Sequence, residues 1–193
     1  LGVPTYVAPG PDNPMGSHHP GATIAALLDR IPDGSLLVLD EAYVELAPEG
    51  TAAPIMADDP RVIRMRTFSK GYGMAGLRVG YALAAPGLAA AFNKVRNHFG
   101  VGRVAQAGAL AALADQDWLA HVRERVDASR AAIARIAKEN GLTPLPSATN
   151  FVTIDCGRDG TFARAVLNQL VARGIFVRMP FVAPHDRCIR SEE

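Results

Sequence analysis

The segment "RTFSKGYGMAGLRVGY", residues 66–81, places Lys70 between hydroxyl side chains and a glycine-rich stretch. A lysine is usually a solvated surface charge. Thr67 and Ser69, however, bring small hydroxyl groups that can bind phosphate together with backbone N–H groups of a turn. Arg78 could complete such a site, because a guanidinium holds phosphate through two hydrogen bonds. A lysine beside that site can attack an aldehyde once it loses its proton.

A carboxylate and a phenol follow another apolar stretch. "SLLVLD" ends at Asp40, and Tyr43 comes three residues later. A carboxylate at the end of a buried strand needs a cationic or hydrogen-bonding partner. Taken alone, Asp40 is more often a helix cap or a strand-end ion pair, and Tyr43 a half-buried core residue. Ligands bind at the carboxyl ends of parallel strands, however, so both side chains could line one crevice.

The turn "PDNPMG" contains Asn13. An asparagine in a tight turn usually bonds to its own backbone. Pro14 and Gly16 would fix this loop, which would allow Asn13 to direct its side chain at a ligand. The ordered set of Asn13, Asp40 with Tyr43, the lysine segment and then an arginine is a stronger signal than any member alone.

Short apolar runs that alternate with helical patterns predict the scaffold, an α/β fold with a mainly parallel sheet. Strands are predicted in "PTYVAPG", "SLLVLD", "VIRMRTF" and "GLRVGYALA", and a helix in "GATIAALLDRI". The carboxyl ends of such strands would position the polar residues named above.

Beyond about residue 104 the pattern becomes helical, with a long second helix capped by Asp115 and terminated by Gly141. Its arginines alternate with acids and predict a solvated face; they are Arg123, Arg125 and Arg130. The tail then predicts a strand in "TNFVTIDC", a helix in "TFARAVLNQLVARG" and strands in "IFVRMP" and "RCIR". We therefore predict part of a large domain at residues 1–115, and a linking helix with a small α+β domain at 116–193.

Composition limits the function classes. The chain has 193 residues, 20 basic and 19 acidic, and a formal net charge of +1. This balance gives no electrostatic reason to expect nucleic acid or a membrane surface as a partner. Cys156 and Cys188 show neither metal-ligand spacing nor a disulfide framework, so we expect no metal and a reduced, cytoplasmic setting. The start lacks an initiator Met, so we expect the chain to begin within a longer protein.

The motifs, in this order, resemble the fold-type I, class I/II aminotransferases that use pyridoxal 5'-phosphate. "PGPDNPMG" is similar to that family's Asn-Pro turn, "LVLDEAYVEL" to its Asp-x-x-Tyr strand end, and "RTFSKGYGMAGLRVGY" to its Schiff-base lysine segment. "RCIR" is similar to its C-terminal substrate arginine. The resemblance covers essentially the whole chain, and "DEAYVEL" and "TNFV" are most similar to the histidinol-phosphate aminotransferase branch.

The resemblance implies a role for each matching residue. Lys70 would form the Schiff base with the cofactor and then act as general base and acid. Asp40 would bond to the protonated pyridine nitrogen and keep the ring an electron sink. Tyr43 and Asn13 would bond to the phenolic oxygen of the ring.

The remaining implied roles concern anions. Thr67, Ser69 and Arg78 would hold the cofactor phosphate. Arg190 would hold the substrate's carboxylate, or the phosphate of histidinol phosphate, and Asn150 would lie near the substrate. The expected partners are a small-molecule amino donor, a 2-oxo acid and a second copy of the chain in a homodimer.

Some segments depart from the family. Asp12 and Met15 stand where Asn and Thr are more frequent, and "NHFGVGR" replaces a proline-containing stretch of the histidinol-phosphate branch. The family's N-terminal part is missing, with its glycine-rich phosphate loop, its ring-stacking aromatic residue and a tyrosine contributed across the dimer. "CIRSEE" also predicts that the strand does not continue past Arg190.

These departures leave alternatives open. One is an aromatic amino acid aminotransferase, and another is a decarboxylase or lyase of the same fold, such as one acting on threonine phosphate. A third is a catalytically silent fragment or binding module. A nucleotide-binding α/β domain is disfavoured, because no G-x-G-x-x-G turn follows the first strand.

Overall fold

The computed structural model describes residues 2–192, which form two compact units. The first unit comprises the chain up to Pro11 together with His18–Val122. The second comprises Asp12–Ser17 and the chain from Arg123 onward. The short turn that contains Asn13 therefore belongs with the C-terminal part of the chain. The domain boundary at residues 115 and 116 stays a prediction.

The first unit contains a four-stranded sheet in the order β1-β2-β3-β4. Its strands are β1 (Thr5–Pro9), β2 (Leu36–Asp40), β3 (Val62–Thr67) and β4 (Gly80–Ala84). The first three strands are parallel, and β4 pairs with β3 in the antiparallel direction. The mainly parallel sheet predicted from the apolar runs is confirmed.

Helices accompany this sheet. They are α1 (Gly21–Ala25), α2 (Pro86–Ala91), α3 (Arg103–Ala114) and the first turns of α4 (Gln116–Glu139). Short 3-10 turns lie at Ala26–Asp29, Val44–Leu46, Ala75–Leu77 and Phe92–Lys94. The predicted helix "GATIAALLDRI" is thus a short α-helix that tightens into a 3-10 turn.

The two faces of the sheet differ in character. Leu37 and Leu39 are buried on one face together with Val62, the register partner of Leu37, against the α1 segment. Val7 and Met65, on the other face, are exposed. Strand alternation therefore places a packed core on one side and an open apolar surface on the other.

The strand predicted from Gly76 to Ala84 starts later than expected. Ala75–Leu77 form a 3-10 turn, and Arg78 has a left-handed backbone with φ of 51°. Since extended pairing cannot pass through that conformation, β4 begins only at Gly80. The segment between β3 and β4 is consequently a long loop, residues 68–79.

The second unit is built on a three-stranded antiparallel sheet in the order β5-β6-β7. Its elements are β5 (Thr143–Pro144), β6 (Phe151–Asp155), α5 (Gly160–Ala172), a 3-10 turn at His185–Arg187 and β7 (Cys188–Glu192). The last turns of α4 pack here as well, through Ala137 and Ile133. Helices and an antiparallel sheet around one apolar core agree with the predicted α+β class.

The ends of the long helix follow their predicted signals. The backbone N–H of Trp118 donates to Asp115 Oδ1 over 3.0 Å, which is an N-terminal cap. At the other end Gly141 has a φ of +71°, and the Leu142 N–H donates to the Ala137 carbonyl. A glycine in this left-handed position terminates a helix at low steric cost.

Two expectations for the tail are wrong. "IFVRMP" is no strand; Arg178 alone forms a bridge, exchanging backbone hydrogen bonds of 2.9 and 2.7 Å with Arg190. Pro180 has no N–H with which a ladder could continue. β7, by contrast, does continue past Arg190, because Ser191 and Glu192 remain paired with β6.

The cysteines are buried and free. Cys156 and Cys188 both lie in the second unit. Burial, with lesser contributions from nearby charges, raises the pKa of both thiols, so they stay protonated at neutral pH. Across residues 2–192, no helix is both long enough and apolar enough to cross a bilayer.

Replacing Gly80 with alanine should destabilise the first unit. A Cβ at this position would lie 2.7 Å from the Arg66 carbonyl oxygen, so the hairpin would have to open. We expect the free energy of unfolding to fall by about 2 kcal/mol. Gly87→Ala, where no heavy atom lies within 4 Å of the new Cβ, should leave stability unchanged or raise it by about 0.5 kcal/mol. Chemical denaturation of both variants checks this.

Candidate active site

The loop between β3 and β4 holds Lys70 in a defined turn. The Phe68 N–H donates to the Val79 carbonyl (3.2 Å), and the Met74 N–H donates to the Phe68 carbonyl (2.9 Å). The Gly73 N–H donates to the carbonyl of Lys70 itself (2.9 Å). The lysine is therefore half-buried on a hydrogen-bonded backbone rather than on an open surface loop.

The amine of Lys70 faces an aromatic ring. Its Nζ lies 5.0 Å from the ring centroid of Tyr43, which is buried. The next residue, Gly71, allows the backbone to approach closely, because a Cβ there would lie 3.2 Å from Glu45 Cβ and 3.3 Å from Leu119 Cδ1. The predicted pair of Lys70 and Tyr43 is thus brought together within the first unit.

The hydroxyl groups before Lys70 form their own hydrogen-bonded group. Thr67 Oγ1 donates to Ser69 Oγ over 3.0 Å and accepts from the Ser69 N–H over 3.1 Å. Arg78 lies at the other end of the same loop and is brought near Ser69, since Ser69 follows Phe68 and Arg78 precedes its partner Val79. The exposed Arg78 side chain donates to the Ala75 carbonyl. Hydroxyls, backbone amides and a guanidinium therefore occupy one loop.

Asp40 ends β2 and is exposed. Its Oδ1 accepts a 3.1 Å hydrogen bond from the Ala42 N–H. Since Asp40 is the register partner of Met65, it shares a face of the sheet with Thr67. An amine, an acid, hydroxyls and a guanidinium fit a phosphorylated aldehyde that carries a basic ring nitrogen.

A buried charge network lies on the opposite face. Arg64 Nε donates to both Glu41 carboxylate oxygens (3.0 and 3.1 Å), and its Nη2 donates to Oε1 (2.6 Å). Arg66 Nε donates to Oε2 of the same carboxylate (2.9 Å) and lies 3.7 Å from Glu45. The remaining donors of Arg64 bond to the carbonyls of Ala53 and Ile55. This network fastens β3 to the chain that follows Asp40.

The network also sets local charge states. Burial by itself lowers the pKa of Arg66, but the hydrogen bond and charge of Glu41 more than compensate, so the pKa is raised. Burial, followed by the charge of Glu45, raises the pKa of Tyr72. The guanidinium of Arg66 therefore stays charged and the phenol of Tyr72 stays neutral beside the lysine loop.

Sequence reasoning missed this network. In "VIRMRT" the two arginines are two residues apart and so lie on one face of the strand, and "DEAYVEL" supplies acids four residues apart. Arginines on a buried strand face require a countercharge. That rule was a usable signal that Arg64 and Arg66 need an acidic partner, but it does not identify Glu41.

Arg190 lines a cavity of about 550 Å³ in the second unit, together with Asn13 and Arg178. Its Nη1 donates to Asn13 Oδ1 over 2.8 Å, and its guanidinium lies 4.5 Å from the ring centroid of Phe151. Apolar residues line most of the rest of the cavity; they are Leu167, Val171, Val177, Met179 and Phe181. The structure thus brings two of the predicted residues, Asn13 and Arg190, into direct contact.

The Asn13 turn is held on the second unit by its neighbours. Thr153 Oγ1 donates to the Pro14 carbonyl (2.7 Å), and the Ala148 N–H donates to the Gly16 carbonyl (2.9 Å). Gly16 has a φ of +81°, and a Cβ there would lie 2.7 Å from Ser147 Oγ. The loop around Pro14 and Gly16 is therefore fixed, as predicted, by contacts with residues distant in sequence.

Two residues nearby need comment. Arg130, expected on a solvated face, instead donates to the carbonyls of Ser147 and Thr149 from a largely buried side chain, so that expectation is wrong. Asn150 is half-buried and directly precedes Phe151, the ring beneath Arg190. Within residues 2–192, no group of three or more His, Cys, Asp or Glu residues could hold a metal ion.

The parallel sheet, the lysine-bearing hairpin loop and the α+β unit define the fold of fold-type I aminotransferases. The chain belongs to the aminotransferase class I and II family, whose profile matches residues 6–190. The resemblance expected from the motifs is confirmed.

The relatives include histidinol-phosphate aminotransferases. Histidinol-phosphate aminotransferase 2 of Ralstonia nicotianae is 41% identical over 176 residues, which cover 90% of this chain and 47% of that protein. The enzyme of Geobacillus thermodenitrificans is 41% identical over 174 residues, covering 87% and 46%. The chain thus spans about half the length of these curated relatives.

Solved structures agree. The Sinorhizobium meliloti histidinol-phosphate aminotransferase, solved in complex with pyridoxal-5'-phosphate, superposes with a TM-score of 0.93 at 54% identity, covering 98% of this chain and 52% of that one. The L-threonine-O-3-phosphate decarboxylase of Porphyromonas gingivalis, with a TM-score of 0.81 and 20% identity, shares the fold.

Replacing Glu41 with glutamine should destabilise the first unit strongly. The change leaves the buried Arg64 and the partly buried Arg66 without their shared countercharge, and we expect the free energy of unfolding to fall by about 3 kcal/mol. Glu139→Gln is the matched control, because its exposed pair with Arg135 spans one helical turn and should contribute less than about 0.5 kcal/mol. Equal denaturation midpoints for the two variants would contradict the role given to Glu41.

Proposed function

We propose that this chain provides the cofactor lysine and the principal polar ligands for a pyridoxal 5'-phosphate-dependent amino transfer. The observation that supports this most is the hairpin loop in which Lys70 Nζ faces Tyr43 beside the Thr67–Ser69 hydroxyl pair. When bound, the cofactor supplies an electron sink for the bonds at the amino carbon.

Lys70 and Asp40 handle protons in this proposal. Lys70 Nζ would be the point of covalent attachment, and this amine would also accept and return a proton as base and acid. The Asp40 carboxylate would hold a proton on the pyridine nitrogen. Its Oδ1 accepts a hydrogen bond from the Ala42 N–H, which helps to fix the orientation of the carboxylate. Its position at a strand end keeps this acid accessible to a ligand.

Thr67, Ser69 and Arg78 bind the cofactor phosphate in this proposal. Arg78 is held in a left-handed conformation, which costs a non-glycine residue about 1 kcal/mol. Strain of that kind is often retained where a side chain must point at a ligand. The position is thus better explained by a binding role than by stability.

The second unit binds the substrate in this proposal. Arg190 takes the substrate's anionic group, and Asn150 lies near it. Asn13, whose Oδ1 accepts from Arg190, and Tyr43 would each bond to the phenolic oxygen of the cofactor.

The 193-residue chain should form a Schiff base with pyridoxal 5'-phosphate at Lys70. After borohydride reduction, peptide mass mapping should find the pyridoxyl label on the Lys70 peptide and little on Lys94 or Lys138, which are both exposed. Lys70 alone has the Tyr43 ring and the hydroxyl pair beside it. An absorbance band of the protein-bound cofactor should accompany labelling.

The variants separate specific from chance labelling. Lys70→Ala should lose both the band and the label, whereas Lys94→Arg and Lys138→Arg should keep them. Equal labelling of the three lysines, or a band that survives in Lys70→Ala, would refute the proposal. Either result would favour the alternative that the chain is a catalytically silent fragment or a binding module.

We propose histidinol phosphate as the amino donor and 2-oxoglutarate as the acceptor. The relatives at about 41% identity and the Sinorhizobium meliloti structure bear that enzyme's name, which supports this choice over an aromatic amino acid or a decarboxylation. The likeness to the threonine phosphate decarboxylase extends to fold only. A homodimer in the cytoplasm stays a prediction.

A donor panel decides the substrate. On the natural protein that contains this sequence, histidinol phosphate should give a kcat/KM at least about tenfold above that of phenylalanine, tyrosine or aspartate, with 2-oxoglutarate as acceptor. Turnover of an aromatic amino acid together with failure to turn over histidinol phosphate would overturn the proposed donor but leave the proposed reaction class intact. Carbon dioxide release from any donor would favour the decarboxylase.

A further inference from the structure

The carboxylate of Glu192 contacts both arginines of the cavity in the second unit. It pairs with Arg190 Nη2, and its Oε1 lies 3.5 Å from Arg178 Nε. The Arg190 side chain is only 9% exposed, whereas Glu192 and Arg178 are 35% and 60% exposed. The acid is therefore accessible enough to move, while the arginine it pairs with is not.

Backbone geometry places these three charges together. Arg178 and Arg190 exchange two backbone hydrogen bonds across their bridge, so their side chains start from paired positions. Glu192 is two residues beyond Arg190 on β7, and alternate residues of a strand lie on one face. The carboxylate is thus directed to the same face as Arg190.

Glu192 occupies a hydrogen-bond donor of Arg190 that an anionic ligand could otherwise use. Nη1 is used by Asn13, Nη2 is used by Glu192, and one face of the guanidinium covers the Phe151 ring. Among residues 2–192, the buried Nε has no hydrogen-bond partner. A ligand carboxylate or phosphate that takes the position of Glu192 at Nη2 therefore displaces an acid that is already there.

We infer that Glu192 is an internal counter-ion that competes with the anionic group of the ligand for Arg190 and so weakens and sets the anion affinity of the cavity. This inference rests on the proposed anion-binding role of Arg190. Glu192 is a positioning residue here, because it acts on the ligand only through the guanidinium. Without a ligand it keeps a buried cation paired, and with one it swings towards Arg178 and solvent.

The sign of the effect follows from charge. Two guanidinium groups and one carboxylate leave a single net positive charge around the cavity, and neutralising the acid leaves two. Because opposite charges attract more strongly at a partly buried site than in water, removal of the acid must increase anion binding. A glutamine retains an oxygen acceptor for Nη2 and so preserves the position of Arg190.

The test is an anion titration of the 193-residue chain followed by NMR. Inorganic phosphate and succinate are titrated at constant ionic strength. The Arg190 Nε–H signal and the backbone amide of Phe151 report on this cavity rather than on the lysine loop. We expect Glu192→Gln to bind about threefold to tenfold more tightly than the wild type, with Glu192→Asp within about twofold of it. A gain for phosphate alone or for succinate alone supports the inference and assigns the preferred anion class.

Controls distinguish the possible failures. Glu139→Gln makes the same charge change at an exposed site and should bind anions like the wild type. Arg190→Lys, followed at the Phe151 amide, should lose most of the binding. Equal affinity of wild type and Glu192→Gln, or no binding by either, overturns the inference. Wild-type affinity in Arg190→Lys overturns the proposed role of Arg190 and the inference with it.

Discussion

The contact on which the first unit most depends is the carboxylate of Glu41 between Arg64 and Arg66. The guanidinium groups of the buried Arg64 and the partly buried Arg66 lie on one strand and would repel each other. A single acid directly after Asp40 pairs with both. Removing one partner of a buried ion pair is far more damaging than losing a surface pair. Because the Glu41 N–H also donates to the Met65 carbonyl, the end of β2 is fixed to β3 by backbone and side chain together. This attachment also fixes the position of Asp40, the residue directly before Glu41.

The lysine loop adds a second constraint, which is steric. Gly71 lets the turn after Lys70 pack against Glu45 and Leu119, and Gly80 lets β4 approach the Arg66 carbonyl. Arg78 lies between these glycines and adopts a left-handed backbone conformation that favours glycine, although it is not a glycine. Backbone strain in this loop therefore occurs at Arg78, whose long cationic side chain can bind an anion. Glycine occupies the positions where only the backbone is needed. This pattern is expected of a site selected for binding rather than for folding alone.

Local patterns were sufficient to predict much of this. The parallel strands followed from apolar runs, the helix ends followed from Asp115 and Gly141, and the cofactor-site candidates followed from motif order. The failures share a cause: they concern tertiary pairing. "IFVRMP" has the alternation of a strand, yet within this segment only Arg178 forms a bridge, with Arg190 of β7. Glu41 finds its arginines 23 and 25 residues away, and Arg130 finds its carbonyls 17 and 19 residues away. Nothing in a local window specifies such partners.

The two anion-binding arginines proposed here are paired in opposite ways. Arg78 donates to a neutral carbonyl, that of Ala75, and so keeps its full charge for a ligand. Arg190 donates to a carboxylate, that of Glu192, which offsets much of its charge. A cofactor phosphate should stay bound through many turnovers, whereas a substrate anion must leave after each one. An uncompensated guanidinium suits the first task. A guanidinium with an internal competitor suits the second, since the competitor lowers the affinity for the anion and differences in affinity lie mostly in the dissociation rate. The chemistry of the two partners thus agrees with the roles proposed for Arg78 and Arg190.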